Sequence, residues 1–453
     1  MPRLVVVSNR VGLPGEQRAG GLASALRAAL AERGGLWFGW SGKRARDAGA
    51  MHETQDGAIR YCTFDLSPED HDDYYNGFAN RTLWPLLHFR LDLVDYRRET
   101  REGYMRVNGL FADRLAPLLR ADDILWIHDY HLIPLGAMLR ERGVGNRIGF
   151  FLHVPMPSSD LAAALPEHRA LFGALSAYDL VGFQTARDVE RFQDYMRLFG
   201  GGKVLGDGEL QGPDGRRFRA AAFPISIDTA AIARQAREAT KKPGVRRLRD
   251  SMAARALAIG VDRLDYSKGL PDRFRAFARY LERHPAQRGS LTYLQIAPAS
   301  RGEVPEYQAL RRELEGLAGH INGRHAAPDW TPVRYVNRNF AHDVLTGFYR
   351  MAALAIVTPL RDGMNLVAKE FVAAQDEADP GVLVLSRFAG AAYELPEALQ
   401  VNPYDLDGVA DAIAHAAAMP LAERRERWRS MMDTLERHDI TAWRKSCLDA
   451  LTG

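Results

Sequence analysis

Short apolar runs alternate along the whole chain with longer stretches that have helical periodicity. In the first half the apolar runs cover residues 4–8, 124–128, 148–153 and 180–185, and each ends in polar residues. A second series covers residues 256–260, 291–297, 333–336, 354–358 and 382–386. This alternation predicts α/β layers built on parallel sheets, with ligands bound beyond the carboxyl ends of the strands.

A polar, helical stretch over residues 235–254 separates the two series, and 453 residues are too many for one ordinary core. We therefore predict an α/β protein of two Rossmann-like doubly wound domains, residues 1–235 and 236–453, facing a central cleft. The segment 421–451 is predicted to be helical, with Trp443 and Leu448 as apolar contacts. The sequence leaves open whether this segment packs back on the first domain.

Composition excludes several classes of function. The hydrophobic fraction of 46% and the charged fraction of 26% are typical of a soluble globular protein. The formal charge of +3 is too balanced to indicate a nucleic-acid or membrane partner. Cys62 and Cys447 lie far apart in the sequence, as expected in a reducing cytoplasm. No apolar run approaches the roughly 18–20 residues that span a bilayer. The sequence leaves open whether the chain forms a homo-oligomer.

Residues 354–375 are the most informative segment, because they predict a buried strand, a Gly-containing loop and the start of a helix. Unpaired N–H groups and the helix dipole make such a helix start an anion site. Asp362 lies in the loop and Glu370 lies on the helix. Two carboxylates beside an anion site suit a sugar nucleotide, although Asp362 could be a plain N-cap. Lys369 is predicted to be a solvated helix residue.

Cations follow several of the predicted strands. Arg263 and Lys268 follow the first strand of the second series and could neutralise a diphosphate, although a surface loop with chance charges is the alternative. Lys268 is notable because the chain has only seven lysines. Arg10 and Arg301 also follow predicted strands and suit phosphate binding. Gly20-Gly21 opens a helix and lets a ligand approach the backbone, but the dinucleotide pattern GxGxxG is absent.

Aromatic and histidine residues complete the candidates. Residues 73–85 (DYYNGFANRTLWP) place Tyr and Trp in a predicted polar loop that could form a sugar platform or a local hydrophobic cluster. His128, Asp129 and His153 follow two successive strands, and hydrogen-bonded core histidines are the alternative. The spacings match no standard zinc pattern, so we predict no metal site.

Together these motifs resemble trehalose-6-phosphate synthases, which are retaining glycosyltransferases of the GT-B fold. The matching segments span nearly the whole chain in family order: VVSNR, the GG pair, GGLWFGWSG, YYNGFANRTLWP, WIHDYHL, FFLHVPMPSS, GVDRLDYSKG and TPLRDGMNLVAKE. The resemblance implies that the first domain binds the acceptor and the second binds a nucleotide sugar. It also implies transfer of glucose from UDP-glucose, or GDP-glucose, to glucose 6-phosphate with the α-configuration retained.

The resemblance also implies roles for individual residues. Four residues would act in catalysis: Asp362, Arg263, Lys268 and His153. The donor would be bound by these four together with Gly21, Asn365, Leu366, Val367 and Glu370. The acceptor would be bound by Arg10, Tyr75, Trp84, Asp129 and Arg301. The resemblance assigns no carboxylate nucleophile, cofactor or metal, so the expected route is front-face attack with the leaving diphosphate as the base.

Three rival functions stay open on the sequence. The same fold could use another acceptor, such as glycerol 3-phosphate in a glucosylglycerol-phosphate synthase, or a pseudo-sugar. A phosphorylase with a pyridoxal cofactor on a lysine is a second rival, and a sugar-phosphate sensor without chemistry is a third.

Overall fold

A computed structural model describes residues 2–14, 21–46, 50–299 and 305–453. The chain divides into two compact units. Unit 1 comprises Met1–Ile225 and Thr441–Gly453, and unit 2 comprises Ser226–Ile440. Most of the last helix therefore belongs with the N-terminal unit. Within the described ranges, no helix is long and apolar enough to cross a membrane.

The described part of unit 1 contains a ten-stranded sheet in the order β3-β4-β2-β1-β5-β6-β7-β10-β9-β8. Its strands are β1 (Leu4–Arg10), β2 (Gly35–Arg44), β3 (Met51–Asp56), β4 (Ile59–Leu66), β5 (Ile124–His128), β6 (Arg147–Phe151), β7 (Leu180–Phe183), β8 (Lys203–Gly206), β9 (Glu209–Gln211) and β10 (Arg217–Ala222). The pairs β3–β4, β8–β9 and β9–β10 are antiparallel, and the central pairs are parallel. The central strands are continuously apolar because helices cover both faces of a parallel sheet.

The helices of unit 1 are α1 (Gly21–Arg33), α2 (Pro68–Asp70), α3 (Trp84–Leu87), α4 (Arg98–Leu115), α5 (Leu135–Glu141), α6 (Ser159–Ala163), α7 (His168–Gly173) and α8 (Ala186–Leu198). A π-helix over His71–Leu83 joins α2 to α3. The prediction of a loop over residues 73–85 is therefore wrong. Tyr74 and Phe78, four residues apart, are both buried, and their burial against the core stabilises a helical turn in this polar sequence.

Unit 2 has a six-stranded sheet in its described part, in the order β13-β12-β11-β14-β15-β16. The strands are β11 (Ala256–Val261), β12 (Leu291–Ile296), β13 (Val333–Val336), β14 (Leu354–Val357), β15 (Val382–Ser386) and β16 (Leu399–Val401), and every pair between them is parallel. The helices are α9 (Thr229–Ala239), α10 (Pro243–Ser251), α11 (Leu270–Arg283), α12 (Pro305–His325), α13 (His342–Met351), α14 (Leu366–Ala374), α15 (Leu406–Ala418) and α16 (Leu421–Arg437). These two doubly wound α/β sheets are the predicted fold class.

Among the parallel strands of each sheet, the direction of winding reverses at one point. In unit 1 the reversal lies between β1 and β5, and in unit 2 it lies between β11 and β14. Connections leave such a point toward opposite edges, so the loops after the two strands form a crevice that ligands occupy. Five of the sequence candidates lie at or just beyond the ends of the strands β1, β5, β11 and β14: Arg10, Asp129, Arg263, Lys268 and Asp362.

The C-terminal segment forms two helices, α16 and α17 (Ile440–Thr452), with a break at residues 438–439. In unit 1, Trp443 and Leu448 of α17 are buried, as predicted. The Trp443 ring lies 5.3 Å from that of Trp126, and its Nε1 donates to the Phe223 carbonyl at 3.1 Å. This helix therefore covers the apolar side of β5 and its neighbours.

Candidate active site

Two loops meet at the reversal point of unit 2. Lys268 lies in the loop after β11, and its Nζ donates to Asp362 Oδ2, after β14, at 2.5 Å. Asn365 Nδ2 donates to the same Asp362 oxygen at 3.0 Å. An ammonium, a carboxylate and an amide from positions nearly a hundred residues apart are thereby placed together. The two candidates Lys268 and Asp362 thus belong to one group.

Buried Arg273, on the first turn of α11, holds these loops in place. Its guanidinium donates to Asp262 Oδ2 at 2.5 Å, Thr358 Oγ1 at 2.9 Å and the Lys268 carbonyl at 3.1 Å. Gly269 has φ +63°, and a Cβ there would lie 2.6 Å from the Thr358 carbonyl. The Lys268 loop therefore packs directly on the end of β14, and only glycine fits at the point of closest approach.

Helix α14 begins beside Lys268 and Asp362, and two of its first backbone N–H groups are available as hydrogen-bond donors. Asn365, in the left-handed region at φ 79°, caps the helix by accepting the Ala368 N–H at 3.1 Å. The N–H groups of Leu366 and Val367 make no hydrogen bond within the described ranges. These two donors and the helix dipole favour a negatively charged group beside Lys268. The predicted phosphate contacts of residues 365–367 would use these donors, and they stay a prediction.

Glu370 lies one turn further along α14. Its Oε1 is 3.3 Å from His342 Nε2, and its side chain is 14% exposed. The hydrogen bond with Glu370 raises the pKa of His342. A carboxylate held in this way on the first turns of α14 suits binding of sugar hydroxyls.

The prediction that Lys369 is solvated is wrong. Lys369 is fully buried, and its Nζ donates to Glu394 Oε2 at 2.6 Å. Burial lowers the pKa of Lys369, and Glu394 opposes that effect. The pair ties α14 to the segment after β15, so Lys369 supports the helix that carries Asn365 and Glu370.

Three further candidates for donor or phosphate binding are Arg263, Gly21 and Arg301. Arg263 is exposed, two residues beyond the end of β11. Gly21 is the first residue of α1, while Gly20 lies outside the described residues. Arg301 also lies outside them, so its predicted acceptor contact stays a prediction.

Asp129 occupies the corresponding reversal point in unit 1. It follows β5 with φ 77° and ψ 166°, a backbone conformation that is otherwise almost restricted to glycine. Its N–H donates to the Phe151 carbonyl at 2.8 Å, and its Oδ1 accepts the His153 N–H at 3.2 Å. Strain of this kind, stored at the end of a central strand, is characteristic of functional sites.

His153 is held by two neighbouring side chains. Gln184 Oε1 accepts the Ile225 N–H at 3.0 Å, which turns Gln184 Nε2 toward His153 Nδ1 at 3.3 Å. His153 Nε2 then carries the proton and donates to His128 Nδ1 at 3.1 Å. Desolvation lowers the pKa of His153 to about 3 and that of His128 well below its usual value, so both rings are neutral at pH 7. Both nitrogens of His153 are engaged, and a ring contact with glucose would have to displace one partner.

The aromatic candidates join a chain of rings beside Asp129. The half-buried Tyr75 ring is nearly parallel to His131, at 5.8 Å and 12°. Tyr130 lies between the other rings of this chain, 4.0 Å from His131 and 5.7 Å from Trp84. Trp84 is only 5% exposed, so it offers little surface for stacking and mainly supports Tyr130. Tyr75 is therefore the better candidate for contact with a sugar.

Arg10 ends β1 on the other side of the same reversal point. Gly42 has φ +86°, and a Cβ there would lie 2.6 Å from Arg10 Nε. The Arg10 side chain therefore lies against bare backbone in the segment GGLWFGWSG. The sequence motifs include this segment without indicating its role, and they indicate no role for Gln184, His131 or His342.

The chain resembles known proteins over its full length. The profile of glycosyltransferase family 20 matches residues 8–453. Trehalose-6-phosphate synthase of Sinorhizobium fredii is 53% identical over 458 residues, which cover 100% of this chain and 98% of that protein. The crystal structure of a UDP-forming alpha,alpha-trehalose-phosphate synthase from Burkholderia xenovorans in complex with glucose-6-phosphate matches with a TM-score of 0.96 at 49% identity, over 100% of both chains. An E. coli structure bound with UDP-2-fluoro glucose matches with a TM-score of 0.95 at 47% identity, over 99% of this chain and 98% of that one.

The fold and the candidate groups define a glycosyltransferase of the GT-B type, which confirms the predicted class. The chain belongs to glycosyltransferase family 20. The resemblance to trehalose-6-phosphate synthases that the motifs indicated is thereby confirmed.

Proposed function

We propose that this enzyme transfers glucose from a nucleotide-glucose to glucose 6-phosphate and forms α,α-trehalose 6-phosphate. UDP-glucose is the preferred donor, because the similar Burkholderia structures are named UDP-forming. GDP-glucose stays a candidate. The observation that carries the proposal is the grouping of Lys268, Asp362 and Asn365 at the open start of α14, in a chain 49% identical to the structure in complex with glucose-6-phosphate.

The donor roles follow from the groups that unit 2 presents. Lys268 and the N-terminus of α14 supply positive potential for the diphosphate, and Arg263 adds a guanidinium suited to bidentate contact. Glu370 accepts ribose hydroxyls. Asp362 holds the transferred glucose together with His153, which exchanges one of its two ring partners for the sugar, and Gly21 leaves room near it.

The arrangement around Asp362 favours a route without a covalent intermediate. A retaining glycosidase uses a carboxylate as nucleophile. Asp362 Oδ2 already accepts from Lys268 and Asn365, and such stabilisation makes a carboxylate a weaker nucleophile. We therefore infer front-face attack: the bond from the anomeric carbon to the diphosphate breaks, and the acceptor oxygen bonds to the same face. The acceptor hydroxyl proton passes to the leaving diphosphate, whose growing charge Lys268 and Arg263 stabilise.

The acceptor roles fall to unit 1 and to Arg301. Tyr75 and Asp129 hold the sugar, with Trp84 behind Tyr130. Arg10 and Arg301 hold the 6-phosphate. Two buried free thiols, Cys62 and Cys447, suit the predicted cytoplasmic location.

The test is an assay of the purified protein with glucose 6-phosphate and, separately, UDP-, GDP- and ADP-glucose in the presence of EDTA. Nucleotide release together with α,α-trehalose 6-phosphate would establish the acceptor, the donor preference and metal independence. Analysis of the anomeric configuration by NMR would establish retention. If no donor gives product with glucose 6-phosphate, but glycerol 3-phosphate is turned over, then glycerol 3-phosphate is the acceptor and the proposed acceptor is wrong.

A further inference from the structure

The ring of His342 contacts Glu370 with one nitrogen and Gln235 with the other. His342, the first residue of α13, places Nε2 at 3.3 Å from Glu370 Oε1 and Nδ1 at 3.1 Å from Gln235 Oε1 on α9. No other side-chain partner of Glu370 occurs in the described parts of the chain. One carboxylate oxygen therefore faces His342, and Oε2 stays available to a ligand.

Both nitrogens of His342 face oxygen acceptors, Gln235 Oε1 and Glu370 Oε1. A neutral imidazole has one N–H and can satisfy only one of them, whereas the imidazolium has two. With the Gln235 amide oriented as it is in the structure, the geometry matches the doubly protonated ring. The raised pKa of His342 agrees with this, because the hydrogen bond to Glu370 stabilises the cation.

The charges around His342 come from three sides. Glu370 faces it from α14, and Asp343 follows it on α13. Lys242, just before α10, is paired with Asp343 and reduces the influence of that carboxylate. From α9 the facing group is the neutral amide of Gln235. Strand β11 also packs against α13 and carries only apolar residues (ALAIGV), so Glu370 is the dominant partner.

We propose that His342, as an imidazolium, is a positioning residue for donor binding that fixes Glu370 through Oε1 and leaves Oε2 to accept a ribose hydroxyl. The inference rests on the proposed role of Glu370 in the donor site. Because His342 gains a partner, the effect is present at low pH and is lost as pH rises through its raised pKa. Donor affinity should therefore fall as pH rises through this raised pKa, while acceptor affinity should not.

The test measures binding of UDP-glucose, without acceptor, by titration calorimetry at about pH 6 and about pH 8.5. UDP-glucose is used rather than UDP because its diphosphate has no terminal group that titrates in this range. A charge-assisted hydrogen bond, reduced by the exposure of His342, corresponds to a Kd increase of roughly 3–10-fold across the range.

Two variants separate charge from shape. His342→Arg carries a permanent charge and should bind tightly at both pH values. His342→Gln carries none and should bind with the weaker, alkaline Kd at both. His415→Gln, an exposed helix position in the same unit, is the matched control and should follow the wild type. In turnover assays the same pattern should occur in the donor KM, with the acceptor KM and kcat unchanged.

A wild-type Kd that does not change with pH, or a His342→Gln variant that retains the wild-type pH dependence, would overturn the inference. Failure of the proposed function gives a different result: UDP-glucose would bind with the expected pattern, yet no disaccharide phosphate would form.

Discussion

Lys268 and Asp362 are joined at 2.5 Å, although 94 residues separate them in the sequence. The pair links the loops after β11 and β14 at the point where the sheet of unit 2 reverses its winding. Buried Arg273 supports both loops from below through Thr358 and the Lys268 carbonyl. The ammonium that is proposed to meet the diphosphate is thus already oriented before substrate binds.

Substitution of Lys268 by Ala should lower kcat by at least two to three orders of magnitude, as loss of one preorganised charge-stabilising group does in other enzymes. The measurement is steady-state turnover with UDP-glucose and glucose 6-phosphate. Exposed Lys241→Ala is the matched control and should keep wild-type turnover. Near-normal kcat in Lys268→Ala would contradict the proposed charge stabilisation of the leaving group.

The strained backbone of Asp129 should be visible as a difference in stability between two of its variants. Both Asp129→Ala and Asp129→Gly lose the hydrogen bond to the His153 N–H, but only glycine accepts φ 77° and ψ 166° without strain. We expect the Gly variant to be more stable than the Ala variant by about 1–2 kcal/mol, with acceptor turnover strongly reduced in both. Urea denaturation compares the pair. Equal stability of the two variants would show that the backbone of Asp129 stores no strain.

The buried pair Lys369–Glu394 predicts a non-additive result. Lys369→Met leaves the Glu394 carboxylate without its cation and should destabilise the fold by about 3–5 kcal/mol. The double variant Lys369→Met, Glu394→Met removes both charges and should recover most of that loss. A double-mutant cycle by chemical denaturation measures the coupling. Simple addition of the two single losses would mean zero coupling energy between Lys369 and Glu394, which would contradict the prediction.

Acid should destabilise unit 1 through His153. Its folded pKa is about 3, so between pH 6.5 and that value the unfolded chain binds a proton that the folded chain does not. The stability that neutral His153 contributes is therefore complete above about pH 6.5 and falls by roughly 2 kcal/mol by about pH 5. His153→Gln should show a correspondingly smaller difference between pH 7.5 and pH 5, whereas exposed His320→Gln should not differ from the wild type. Identical pH dependence in the wild type and His153→Gln would contradict a neutral buried ring.

The central strands could be predicted because they are buried on both faces and are continuously apolar in sequence. Edge strands such as β8 carry no such signal, since all four of its residues are exposed. For Lys369 the sequence carries a signal of burial, although a solvated residue is predicted. Its helix is apolar on nearly every side, which indicates burial of the whole helix, including the lysine.

The candidate groups of the site could be predicted one by one, but not their partners. Arg263, Lys268 and Asp362 stand out because they are polar residues that follow buried strands. Glu370 stands out because it lies on the helix that begins beyond Asp362. Nothing in the sequence relates His342 to Gln235, 107 residues away, because that contact depends on how α9 and α13 pack. Pairings of this kind depend on tertiary packing, which local sequence patterns do not predict.

The side-chain amide of Asn365, at the start of α14, meets three separate requirements. Asn365 accepts with its oxygen at the helix start, donates with its nitrogen to Asp362, and tolerates a left-handed backbone. Aspartate would offer no donor, serine would be too short to reach both partners, and glycine would offer neither group. The position therefore has almost no room for substitution, and any redesign of donor preference would have to change the pocket around it.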